Sequence, residues 1–175
     1  PAISMYAFHA QDKFGFDISE AGIFTVITVV SSGVSSYLIG KVGDALGHKT
    51  AIILSFSSYL AAAVTALMLE TMAGVYAIFI FLGIGHGGFM PSAMNMIYEF
   101  AGKQDSKVYM AIIDTFLMPF TFSAIMLAGY FKPIAGTDTI LTAIAVSVAV
   151  GVTLLIFLVK EPRHLTSDEP VSMIN

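Results

Sequence analysis

Residues 71–98 read TMAGVYAIFIFLGIGHGGFMPSAMNMIY, a run with no Asp, Glu, Lys or Arg. It exceeds the roughly 20 apolar residues that a helix needs to cross the hydrocarbon of a bilayer. Four more charge-free runs occupy 21–40, 50–69, 115–131 and 139–159. The whole chain matches them, with 57% apolar and 11% charged residues and a mean hydropathy of +0.84. A soluble domain carries about 25% charge, so composition excludes that class. Strands of a membrane barrel alternate polar and apolar residues over about ten positions, and these runs do not. Inside lipid each backbone N–H and C=O must pair within its own segment, so the runs read as helices. The fold class is an all-α membrane protein.

Working outward, the sequence predicts spans at about 20–40, 50–69, 73–98, 108–131 and 139–159. Residues 1–10 (PAISMYAFHA) are apolar but too short to span. They read as the end of a truncated helix, so the expectation is five transmembrane helices plus the end of a sixth in a fragment of a longer protein. Short links at 11–19, 40–50, around Glu70, at 99–107 and at 132–138 make consecutive helices antiparallel neighbours. A polar tail, 161–175, follows. Lys41, Lys49, Lys103, Lys107, Lys160 and Arg163 fall on one side, against Lys13 and Lys132 on the other. The excess of Lys and Arg marks the cytoplasmic side. It places the 40–50 and 99–107 loops and the tail in the cytoplasm, and the membrane is read as a bacterial-type inner membrane.

The net charge of −4 is scattered and offers no basic patch to nucleic acid. With no cysteine there is neither a disulfide nor a thiolate metal site. Neither a cofactor nor a metal is expected.

The stretch from Gly40 to Thr50, GKVGDALGHKT, has the pattern G-x-x-x-D-x-x-G-x-K between two spans. Glycines permit a tight turn, and Asp44 has the chemistry to cap a helix N-terminus. The bland alternative is an ordinary cytoplasmic turn. In pattern and place the stretch resembles the signature loop of the major facilitator superfamily of secondary transporters. Helix count and loop lengths extend the resemblance over essentially the whole chain. They match the end of that family's seventh helix and its helices eight to twelve, and so one six-helix lobe, the C-terminal half. The N-terminal half usually carries an intramembrane Arg and a Gly-Pro pair that 73–98 and 108–131 lack. Lys160-Glu161-Pro162-Arg163 is similar to the short basic ending of such a half, and Asn95-x-x-x-Glu99 with Asp105 and Tyr109 is similar to a bacterial subgroup. The resemblance implies that Gly40, Gly43, Asp44, Gly47 and Lys49 form a conformational-switch loop. Ala45 stands where the family often has a basic residue, which weakens any full charge relay there.

Polar residues within spans are costly and suggest where solute passes. Thr25, Thr28, Ser32 and Ser35 recur every three or four residues, giving one stripe that either borders a cavity or packs helices. Gly83, Gly85, Gly87, Gly88 and Pro91 cluster in one span, either as a loosened, kinked segment or as a surface for close helix approach; Pro119 repeats the theme. His86 and Asp114 are the ionisable groups within spans, at depths of roughly 18 Å and 9 Å from the cytoplasmic end. Asp114 is the first candidate to carry a coupling proton and His86 the second; alternatively Asp114 bonds across to Asn95 or Ser92. The candidate substrate or proton site is His86, Asp114, Asn95, Thr28 and Ser32. A nucleophile–base or metal constellation is missing, so an enzyme is not expected. The expectation is alternating-access transport of a small solute between this lobe and a missing N-terminal lobe of the same chain. The alternative is a non-transporting scaffold or receptor on the same fold.

Overall fold

Helices formed by these runs must find their polar partners internally, and the computed structural model shows how they do so for residues 2–16, 18–101 and 106–159. The helices are α1 (Ala2–Phe14), α2 (Ile18–Leu46), α3 (His48–Leu67), α4 (Met72–Ala101) and α5 (Ser106–Leu158). Hydroxyls within them largely fold back on carbonyls four residues earlier, as Thr25 does to Ala21 at 2.9 Å and Ser57 to Ile53 at 2.8 Å. This satisfies Ser and Thr without a neighbour, as lipid demands. Four of these helices are long and apolar enough to cross a membrane.

The helices overrun the predicted spans, and two predicted loops need correction. Helix α2 continues through Gly40, Gly43 and Asp44 to Leu46, so only Gly47 separates it from α3. Gly47 turns the chain with φ 96°, a conformation an L side chain rarely adopts. The expected 132–138 loop is likewise helical apart from Gly136, at φ 79° and ψ 164°. The end of an apolar run marks the edge of the hydrocarbon, whereas a helix stops only where its backbone changes conformation. For the same reason α1 extends to Phe14 rather than ending near residue 10.

Gly136 reverses α5. Ala124 and Val148 line one cavity of about 520 Å³ together with Leu127, Phe131, Ile140 and Ile144. In a straight helix those two residues would lie about 36 Å apart. The arms 106–135 and 137–158 therefore double back on each other.

Helix α4 is packed between α2 and α3. Ala62, Ala63 and Ala66 of α3 are fully buried and share a cluster with Val75, Ile78, Phe79 and Leu82 of α4 and Leu141 of α5. Tyr6 and Ala10 join from α1 and Phe24 from α2, whose ring stacks on Phe79 at 4.5 Å. The first arm of α5 stands outside this core, with Phe116, Met118 and Phe120 each more than 70% exposed. Contacts fix the two ends of the bundle. One gathers the ends of α1 and α3 with the Gly136 break, through Lys13 to the Leu69 carbonyl and Lys132 to Asp12. The other gathers the Gly47 turn with the ends of α4 and α5, through His48–Glu99 and Lys49 to the Ile156 carbonyl.

Candidate functional site

At the Gly47 end the motif residues take different positions. Gly43 lies against the His48 ring, so that a Cβ there would fall 2.7 Å from Nδ1. His48 is buried, its Nε2 is 3.8 Å from Glu99 Oε1 of α4, and its Nδ1 has no hydrogen-bond partner. Lys49 Nζ donates to the Ile156 carbonyl at 3.0 Å. The turn thus touches α4 and the far end of α5. Asp44 is exposed in the last turn of α2, while the N-cap of α3 is Gly47, without a side-chain cap. Gly40 has open space around it. His48 was missed as a site residue because it fills an x position of the pattern. Its partner Glu99 was visible only as part of Asn95-x-x-x-Glu99. Lys103, Asp105 and residues 160–175 lie outside the described residues.

The polar stripe of α2 and the glycines of α4 turn out to be one feature. Ser35 Oγ donates to the Ile84 carbonyl at 2.7 Å and Ser36 Oγ to the Gly87 carbonyl at 2.8 Å. A Cβ on Gly83 would fall 2.5 Å from the Thr28 carbonyl, and one on Gly87 would overlap the Ser32 backbone. Gly85 faces the other way, against Ser55 and Tyr59 of α3, and Gly88 lies between Ser55 of α3 and Ile39 of α2. Small residues on both sides let backbones meet and hydroxyls reach across, the usual means of helix association in lipid. The Ser32 backbone therefore lies in the contact between α2 and α4. Thr25 and Thr28 also line a cavity of about 300 Å³ with Ala7, Ala21, Phe24, Val29 and Phe79. Thr28 Oγ1 donates to the Phe24 carbonyl at 2.8 Å and lies 3.5 Å from the Phe79 carbonyl.

The ionisable pair does not converge. His86 is exposed on α4, and Asp114 is exposed on the first arm of α5. Asn95 is exposed as well, while Ser92 is buried with no hydrogen-bond partner for its Oγ. The alternative bond from Asp114 to Ser92 is therefore not made. Pro91 sits inside α4 and Pro119 inside the first arm of α5. Among the described residues no group of three His, Cys, Asp or Glu side chains is arranged to hold a metal ion.

No curated protein and no solved structure matches the chain. The family model described as Major Facilitator Superfamily matches residues 2–172, nearly the whole chain. Its membrane-type helices, its Gly47 turn between the first and second of them and this match agree: the chain belongs to the Major Facilitator Superfamily.

Proposed function

We propose that the chain is the C-terminal lobe of a secondary transporter that moves a small solute by alternating access against an N-terminal lobe. The family match over residues 2–172 carries the reading. The geometry supports it in two ways. Counting the arms of α5 separately gives five membrane-length helices beside the shorter α1, in keeping with a six-helix lobe. The exposed apolar surface of 106–135 is also a face that this lobe alone does not cover. The Gly47 turn, linked to α4 and α5 through His48 and Lys49, is the rigid cytoplasmic joint that rocks as a unit. The cavity at Thr25 and Thr28 is the surface on this lobe that meets solute, and the exposed His86 and Asp114 are the groups available to a coupling proton.

The test is uptake by the full-length protein in proteoliposomes, with a panel of radiolabelled sugars, amino acids, organic anions and organic cations under an imposed proton gradient. Gradient-driven accumulation above protein-free liposomes is expected. With Asp114→Asn, exchange is expected to survive while accumulation is lost, because an amide cannot carry a proton. Folded protein that accumulates nothing across the panel would favour the scaffold reading.

A further inference from the structure

One buried ionisable side chain belongs to neither the motif nor the spans discussed above. His9 of α1 is 7% exposed and bridges two other elements. Its Nε2 is 3.1 Å from the Ala66 carbonyl, in the last turn of α3. Its Nδ1 is 3.6 Å from Asp138 Oδ1, two residues past the Gly136 break of α5. Both neighbours are acceptors. A neutral imidazole has one N–H and one lone pair, so it satisfies one of them and turns its lone pair on the other. The doubly protonated ring has a donor for each. The seat is complementary to imidazolium rather than to imidazole.

We infer that His9 and Asp138 form a proton-binding site that, when occupied, ties α1 to the end of α3 and to the α5 break. The surroundings fit a cation. The carbonyls at the end of α3 carry the negative pole of the helix. Lys13, one turn further along α1, already serves the Leu69 carbonyl. Among the described residues the other ionisable groups at this end include Tyr6 and Asp12 on α1, Glu20 on α2, Glu70 between α3 and α4, Tyr76 on α4 and Lys132 on α5. Asp12 is engaged by Lys132, 3.8 Å away, and that ammonium also lies 4.3 Å from the centre of the Phe8 ring. Among the described residues, Asp138 alone brings a carboxylate within 4 Å of His9. Its side chain is 83% exposed where that of His9 is 9%, so the carboxylate is the solvent side of the site and the route for the proton. This deepens the transport reading by naming the proton as a ligand of this lobe. The partners stand far apart in the chain, so no local pattern marks the site.

The experiment is amide hydrogen exchange of the full-length protein in nanodiscs across a series from about pH 5 to 8, corrected for the intrinsic pH dependence of exchange. Amides of 8–16 and 132–142 should exchange about two- to fivefold faster at the high end, the size expected for losing a charge at a helix C-terminus. His9→Gln keeps a donor for the Ala66 carbonyl, and Asp138→Asn removes the counter-charge. Each should abolish the pH-dependent part while leaving both segments protected. A pH dependence that survives both substitutions overturns the site, as does a wild-type protein whose corrected protection does not change. The readout needs no solute. A pH-linked change in a protein that accumulates no solute would therefore sink the transport reading and leave this one standing.

Discussion

Replacing Gly87 by alanine adds a single methyl group at the closest approach of α2 and α4. That Cβ would overlap the Ser32 carbonyl and lie 2.7 Å from its carbon, and a backbone cannot rotate away as a side chain can. The helices must separate or shift, an overpacking cost of about 1–3 kcal/mol. Separation also stretches the Ser35 and Ser36 bonds to α4, each worth about 0.6 kcal/mol in a membrane. Alanine returns about 0.8–1.0 kcal/mol of helix propensity. The net is a loss of about 1–3 kcal/mol from these terms together. Gly33, on the open side of α2, provides the control, since a Cβ there meets nothing within 4 Å. Gly33→Ala gains the propensity without the clash. Thermal unfolding of the full-length protein in detergent, followed by the loss of its monodisperse chromatographic peak, should place Gly87→Ala several degrees below wild type and Gly33→Ala at or above it. Equal behaviour of the two variants would refute the close α2–α4 contact.

Gly136→Ala should also destabilise, by about 1–3 kcal/mol, because an alanine is strained at φ 79°; the same unfolding assay reads it, and wild-type stability would mean the α5 reversal is made otherwise. Asp44→Asn should slow uptake by the full-length protein while leaving membrane insertion intact, since it removes a charge from the turn at nearly constant side-chain size. Wild-type uptake would reduce this part of the turn to a connector.

The membrane character and the number of apolar runs were legible because the absence of charge over twenty or more residues is a property of sequence alone. The junctions were less so. Lys41, Asp44, Lys132 and Asp138 look like loop residues, yet the helix carries them beyond the apolar run and breaks only where φ turns positive, at Gly47 and Gly136. The stripe Thr28–Ser32–Ser35 and the glycines 83 and 87 were each visible as small-residue patterns at helical spacing. That they face one another depends on which helices pack together, and periodicity carries no such information. The same holds for His48 with Glu99 and His9 with Asp138, pairs made between separate elements.

In the proposed topology α5 doubles back, so that Gly47 and Gly136 lie on opposite sides of the membrane. Single cysteines at Leu46 and Ala135, both exposed, can be introduced into a chain that has no cysteine of its own. A membrane-impermeant maleimide applied to intact cells expressing the full-length protein should modify Ala135→Cys at once and Leu46→Cys only after permeabilisation. Labelling of Leu46→Cys from outside, or an Ala135→Cys that stays unreactive from both sides, would contradict the topology and the lobe built on it.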